Sequence, residues 1–153
     1  MGLVQGHPLF DGSLWIGEGC CMCDPYSSHV ESTMRYTKVG DIYMLICTLV
    51  LNNNHDRSVV TIRSIDEQIS SDEIRWKEQN YTYGNIRGKF SFTEKKVFST
   101  WKSKNYRGSE TFTKISDEEY QVNGISQEAD EKRSSWNITL MKPVGSSSFP
   151  SNQ

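Results

Sequence analysis

Four arginines in strand-like segments are the residues of this sequence that could do the most specific chemistry. An arginine that points into the interior of a folded domain is costly unless it is paired, so it could hold an anionic group of a ligand. The alternative is an arginine on the solvent-facing side of a strand. Both interpretations stay open for the four candidates, Arg35, Arg63, Arg75 and Arg87.

Aromatic residues lie near these arginines in the sequence and are more numerous than a small core requires. Ligand pockets are mainly apolar with a few polar anchors, so the aromatic side chains could line a pocket. They could equally fill the interior as a packed core. We predict ligand contacts for four of them, Trp76, Tyr83, Phe90 and Trp101.

The sequence contains no motif that identifies a reaction. It lacks the Gly-x-Ser-x-Gly turn of hydrolases and a glycine-rich phosphate loop before a helix, and its carboxylates are dispersed. The three histidines, His7, His29 and His55, fall in or beside predicted loops and are expected on the surface. We therefore assign no catalytic residue. An isomerase or hydrolase that uses the same pocket stays an alternative to a binding protein.

The four cysteines, Cys20, Cys21, Cys23 and Cys47, predict neither a metal site nor a disulfide. The spacing C-C-x-C is not a Cys-x-x-C pair, and no nearby histidine completes a zinc site. On a strand, Cys21 and Cys23 share one face and Cys20 points to the other. We expect reduced, partly buried thiols and no metal.

The length and charge of the chain indicate one domain without a polyanionic partner. Its 153 residues can bury a core, and its net charge of -2 is too small to drive binding to nucleic acid or an anionic membrane. The start does not resemble a signal peptide, and no apolar run approaches the roughly 18 residues of a membrane span. We expect a cytoplasmic protein whose oligomeric state is not predicted.

Short segments that alternate between apolar and polar residues predict an all-β fold. The clearest is the run from Ile86 to Thr93. The segment Asp41 to Leu51 is apolar on both faces, so we expect a central strand that is covered on both sides. About nine or ten strands at this spacing indicate a sandwich or a barrel. Because closure removes exposed edges, we predict a single antiparallel up-and-down barrel.

The predicted boundaries follow from the same pattern. We expect residues 1–12 to form a lead-in, residues 13–143 to form the barrel, and residues 144–153 to form a disordered tail. The last strand, predicted at Ser135 to Met141, is expected to close onto the first. Leu9 and Phe10 of the lead-in are expected to pack on the barrel.

The start of the chain has residues that open a known group of barrels. It reads HPLF at residues 7–10 and LWIGEG at residues 14–19. This turn and first strand resemble the start of calycins, which include lipocalins, fatty-acid-binding proteins and nitrobindin-like proteins. The resemblance implies a calycin-like barrel with Trp15 near its closed end.

The chain also departs from each calycin group. The Gly-x-Trp of lipocalins has one residue too many here, and the Arg-x-Tyr clamp of fatty-acid-binding proteins is missing near the C-terminus. Nitrobindin-like proteins use a late histidine for heme, whereas the last histidine here is His55. We expect no cofactor and a small hydrophobic or amphipathic ligand in the barrel. A barrel with a filled interior that serves as a protein-interaction module is a third possibility.

Overall fold

The computed structural model describes residues 7–23, 26–40, 42–52, 57–70, 72–80, 82–130 and 132–143. For residues 52, 57–59 and 66–69 it describes the backbone alone. Within these ranges, no helix is long and apolar enough to cross a membrane. The predicted tail at residues 144–153 and the histidine at position 55 lie outside the described residues.

Ten strands form one closed barrel. They are β1 Trp15–Cys23, β2 Tyr26–Val39, β3 Ile42–Asn52, β4 Arg57–Ser70, β5 Glu73–Asn80, β6 Gly84–Phe92, β7 Lys96–Lys102, β8 Tyr106–Ser116, β9 Glu119–Glu128 and β10 Arg133–Met141. Every strand pairs antiparallel with its sequence neighbours, and β1 pairs with β10. The prediction of a single antiparallel up-and-down barrel is confirmed.

The alternation of side chains separates the interior of the barrel from its outer wall. On β6, Ile86, Phe90 and Phe92 are buried, whereas Arg87 and Lys89 are exposed. Successive residues of a strand point to opposite faces, so this pattern is what a barrel wall requires. Antiparallel register then aligns the inward positions of neighbouring strands at the same height.

A turn before β1 closes one end of the barrel. The amide of Phe10 donates to the carbonyl of His7 at 2.9 Å, and the Trp15 indole donates to the carbonyl of Pro8 at 3.2 Å. Leu9 and Phe10 are buried, as predicted. These contacts place Trp15 at the plugged end, where the resemblance to calycins put it.

His7 is buried in this plug, so its expected surface position is wrong. Its residue surface is 5% exposed, and its ring lies 5.5 Å from that of Phe92 and 6.3 Å from that of Tyr120. Burial, helped by the charge of Lys114, lowers the pKa of His7 to about 4. The turn folds back into the end of the barrel and places the imidazole of His7 inside it. This position depends on contacts with distant strands, which the local sequence does not reveal.

The outer face of β3 is not covered by any described element, so the prediction of cover on both sides is wrong for this part of the chain. Inside, Leu45 is buried. Outside, Ile42 is 51% exposed, and Ile46 lies opposite the exposed Ile62 of β4. Among the described elements, β3 contacts its neighbours β2 and β4 edge to edge. The two apolar faces of β3 therefore correspond to one face that is buried in the barrel and one apolar face on the outer wall.

Replacement of Trp15 by alanine is expected to destabilise the barrel by about 3–5 kcal/mol. The ring is fully buried and meets the Tyr120 ring edge-on at 5.4 Å. Urea unfolding followed by circular dichroism measures the loss. Its control is Ile16→Ala, a change at the neighbouring outward residue that is 47% exposed. A loss below about 1 kcal/mol for Trp15→Ala would contradict a buried ring.

The plug is expected to weaken in acid because of His7. Its pKa falls from 6.5 to about 4 on folding, so the unfolded chain takes up the proton first as the pH drops. The stabilising contribution is complete above pH 6.5 and declines toward pH 4. The free energy of unfolding of wild type should fall over this window more than that of His7→Leu. Identical profiles for wild type and His7→Leu would contradict the assignment.

Candidate functional site

Three tryptophans inside the barrel each pack against a glycine of an adjacent strand. The pairs are Trp76 with Gly88, Trp101 with Gly108, and Trp136 with Gly124. A Cβ atom at any of these glycines would overlap the facing indole ring. Because these glycines have no side chain, each leaves the room in which the facing indole ring lies against the inner wall.

The three indole rings form one continuous surface, which we call the tryptophan wall (Trp76, Trp101 and Trp136). The ring centroids of Trp76 and Trp101 are 6.1 Å apart, and those of Trp101 and Trp136 are also 6.1 Å apart. The second pair is stacked with an interplanar angle of 21°. An aromatic surface of this kind can contact the flat face of an apolar or conjugated molecule.

Arg63 of β4 lies over the tryptophan wall. Its guanidinium carbon is 4.3 Å from the ring centroid of Trp76 and 5.1 Å from that of Trp101. Both distances lie within the range of cation–π attraction, which is strongest where water is excluded. The Arg63 side chain is 13% exposed, and its Nε is 3.7 Å from Oε1 of Glu78. That separation allows charge attraction but is too long for a hydrogen bond.

Two carboxylates share the interior with Arg63. Glu78 is buried on β5 and accepts a hydrogen bond from Asn80 at 3.2 Å. Glu110 on β8 accepts a hydrogen bond from the Trp136 indole at 2.7 Å. Burial raises the pKa of Glu110, while Arg63 and the indole hydrogen bond oppose that rise. The site therefore combines one fixed cation with two hydrogen-bond acceptors.

Cys47 faces this cluster from β3 and does not supply a nucleophile. Burial raises the pKa of its thiol to about 12; the charge of Arg63 opposes this rise, and Glu110 and Glu78 add to it. A thiol with such a pKa stays protonated at neutral pH, and the thiolate is the reactive form. All four cysteines are free, and among the described residues no group of histidine, cysteine and carboxylate side chains could hold a metal ion.

Several buried polar atoms have no hydrogen-bond partner among the residues that the structure describes. They are Arg63 Nε, Trp76 Nε1, Ser99 Oγ and Ser103 Oγ. Three others, His7 Nε2, Ser13 Oγ and the Tyr120 hydroxyl, belong to the plug. Ser99 is fully buried and lies opposite Glu110 in the register of β7 and β8. A buried polar group without a partner costs about 1–3 kcal/mol, so Arg63 Nε, Trp76 Nε1 and Ser99 Oγ favour a polar ligand.

Two stacked tyrosines lie at the end of the barrel opposite the plug. The rings of Tyr83 and Tyr106 are 3.9 Å apart and nearly parallel, and the Tyr83 hydroxyl donates to Glu128. Burial and this hydrogen bond raise the pKa of Tyr83, so the phenol stays a neutral donor. The pair links the turn between β5 and β6 to β8 and β9 at the mouth of the barrel.

The structure brings together part of the predicted site. Trp76, Trp101 and Arg63 are in contact, and Phe90 lies deeper, 5.8 Å from Trp76. Tyr83 stands at the mouth. Their roles as ligand contacts stay predictions.

Three predicted residues lie elsewhere. Arg35, Arg75 and Arg87 are exposed on the outer wall and do not line the interior. Strand alternation explains two of them: Arg75 precedes the inward Trp76, and Arg87 precedes the inward Gly88. Alternation along each strand could therefore have shown from the sequence that Arg75 and Arg87 point outward.

Sequence reasoning missed the two carboxylates and the unpaired serines. Glu78 follows Trp76 by two residues, so it was detectable as an inward position on the same strand. Glu110 and Ser99 meet only through the pairing of β7 with β8, which the sequence does not state. Trp136 was also missed: its stacking on Trp101 depends on strand pairing around the barrel, whereas its alternation with Ile138 and Leu140 was visible in the sequence.

Comparisons with known proteins show a shared fold. The chain is similar to the S-type phycobiliprotein lyase CPES from Guillardia theta, with a TM-score of 0.63 and 8% identity over 85% of this chain and 86% of that one. It is also similar to a protein of unknown function from the DUF3598 family of Nostoc punctiforme, with a TM-score of 0.64 and 12% identity over 94% of this chain. The chain spans 50% of the length of the Nostoc protein. No family model and no curated protein matches the sequence.

The contact between Trp76 and Gly88 is expected to appear as an energetic coupling. Gly88→Ala forces a methyl group into the indole ring and should cost about 1–3 kcal/mol. In a Trp76→Ala background the same glycine change should cost less, because the overlap with the ring is removed and only the close approach to the Thr100 carbonyl is left. Chemical denaturation of the four proteins gives the coupling energy. Equal costs in both backgrounds would show that the ring does not occupy this space.

Proposed function

We propose that this protein binds a small amphipathic molecule inside a calycin-like barrel, against the tryptophan wall and under Arg63. The observation that carries the proposal is the set of unpaired buried donors beside a flat aromatic surface. The barrel fold, which is similar to that of a phycobiliprotein lyase, supports an interior site but does not indicate its ligand.

The contacts of the cluster define the kind of ligand. Its apolar body would lie on the indole faces, since these are the largest apolar surface of the cluster. A carboxylate or carbonyl oxygen would accept from Arg63 Nε, Trp76 Nε1 or the hydroxyl of Ser99. Glu110 offers an acceptor to an N–H or O–H of the ligand. We thus infer a ligand with acceptors at one position and a donor at another.

The same contacts weigh against the two alternatives. A solid barrel would be expected to pair its interior donors within its own core. An enzyme would need a nucleophile or a base, and the buried thiol of Cys47 stays protonated. Glu110, with its raised pKa, is the group that could donate a proton if a reaction took place here. It has no described partner base, so binding is the function we propose.

Two further attributes belong to the proposal. The barrel segment is taken as residues 13–143, with Tyr83 and Phe90 completing the contacts above and below the tryptophan wall. The second is a cytoplasmic location, with which four free cysteines are consistent.

Binding of an amphipathic fluorescent probe tests the interior site. We expect 8-anilinonaphthalene-1-sulfonate to bind with saturation and to quench tryptophan emission. Arg63→Met should weaken binding by about tenfold or more, because a hydrogen bond to a charged group is worth about 1.5–3 kcal/mol. Arg35→Met, which removes the same charge from the outer wall of β2, should leave the affinity unchanged.

Loss of the Arg63 charge also leaves Glu78 without its nearest cation, so folding needs its own control. The double variant Arg63→Met/Glu78→Gln removes both charges and should keep the barrel folded by circular dichroism. Equal affinities in the Arg63 and Arg35 variants, or probe fluorescence that does not saturate, would contradict binding in the interior.

A further inference from the structure

The outer wall of β6, β7 and β8 carries charge of one sign. Each charged side chain that points outward from these three strands is a cation. These residues are Arg87, Lys89, Lys96, Lys102 and Arg107. The net charge of -2 therefore averages over a surface on which positive charge is concentrated on one side.

The strand register lines up some of these cations directly opposite one another. Arg87 pairs with Lys102, Lys102 pairs with Arg107, and Lys77 of β5 pairs with Arg87. We call these four residues the basic row. Neighbouring strands are about 4.7–4.9 Å apart, and like charges in directly opposed positions destabilise a sheet. The repulsion between these cations lowers the stability of the folded barrel. A role in binding an anionic partner would explain why they are placed together.

Described acids do not neutralise the centre of the basic row, at Arg87 and Lys102. Glu73 lies 3.8 Å from Lys89, and Arg107 donates to the neutral Gln127 at 3.3 Å. No described carboxylate forms an ion pair with Arg87 or Lys102 within 4 Å. The positive field at the centre of the basic row is therefore available to a partner.

A groove of about 480 Å³ lies across the same wall. Its lining includes Arg75, Arg87, Lys89 and Lys102, with Thr100 between them, and Gly88 forms part of its floor. Its charged side chains lie on the outer wall, whereas Trp76 and Trp101, which also line the groove, belong to the tryptophan wall. Its lining contains guanidinium, ammonium and hydroxyl groups that can donate hydrogen bonds to an anionic partner.

We propose that this groove and the basic row dock an acidic helix of a partner protein. Carboxylates at positions i and i+4 of a helix have Cβ atoms about 5–6 Å apart, which matches the spacing of cations on adjacent strands. Arginine guanidinium groups bind carboxylates in paired hydrogen bonds, and Arg87 belongs both to the groove and to the basic row.

The charge around the basic row favours a partner of limited extent. Asp117 and Glu118 lie at one end of β8 and β9, and Glu128 and Asp130 lie at the other. A long polyanion such as a nucleic acid strand, or a broad anionic membrane, would meet these acids as well. An acidic protein segment needs to satisfy only the charges within about 8–10 Å, the screening distance in physiological salt.

A labelled glutamate-rich helical peptide with acids at i and i+4 tests the proposal by fluorescence anisotropy. Wild type should bind it with saturation, and binding should weaken as salt is added. Arg87→Glu/Arg107→Glu should reduce the affinity by about tenfold or more. Lys38→Glu/Lys95→Glu, an equal charge change at exposed residues outside the row, should leave it within about twofold of wild type.

Folding is controlled within the same set of proteins. The Arg87→Glu/Arg107→Glu variant turns the basic row into alternating charges, so its melting temperature should equal or exceed that of wild type. The proposal is overturned by equal loss of affinity in both double variants, or by no peptide binding at low salt. It is also overturned if vesicles containing phosphatidylserine, or a single-stranded oligonucleotide of equal charge, bind the wild-type row more tightly than the peptide.

Discussion

Pairing of β1 with β10 is the constraint on which the rest of the structure depends. Eight residues of β1, from Ile16 to Cys23, pair with residues of β10, and this seam leaves no free sheet edge. Once the sheet is closed, every strand has two fixed neighbours, and the direction of each side chain follows from its position in the strand. The interior site and the basic row are therefore two consequences of one closed register.

The interior is a compromise between packing and charge. The plugged end holds closely packed aromatic rings, such as Phe10 against Phe90 and Phe92 at 5.3 and 5.2 Å. Toward the mouth, the same inward positions hold Arg63, Glu78 and Glu110 beside the tryptophan wall. Buried charges reduce stability unless they are paired and hydrogen-bonded. A stable core alone does not require charged side chains beside the tryptophan wall. Their presence is the physical basis for proposing that a ligand binds there.

The sequence allowed the architecture to be predicted because strand alternation is a local property. Trp15, Phe90 and Trp101 each stand in a run whose period of two is visible without any knowledge of pairing. Arg75 and Arg87 were accessible to the same reasoning, since each is next to an inward residue. Position 63 was harder, because β-branched residues occupy both faces of β4 and blur its alternation.

Features that depend on register were beyond a single sequence. Glu110 and Ser99 are eleven positions apart and meet only because β7 and β8 pair as they do. The basic row needs the register of four strands at once, and from composition alone its charge is hidden in a total of -2. The burial of His7 depends on a chain reversal that brings the turn into the barrel end. Each of these is a long-range relationship that local propensity does not encode.

The ring-and-glycine pairs also constrain how this barrel could change over generations. A side chain gained at Gly124 collides with Trp136, whereas loss of the ring first opens a hole beside the bare backbone. Either first step is harmful, so both members of a pair must be exchanged nearly together. With three such pairs, the inner wall resists gradual drift, and the outer wall is the surface on which new properties can accumulate one substitution at a time.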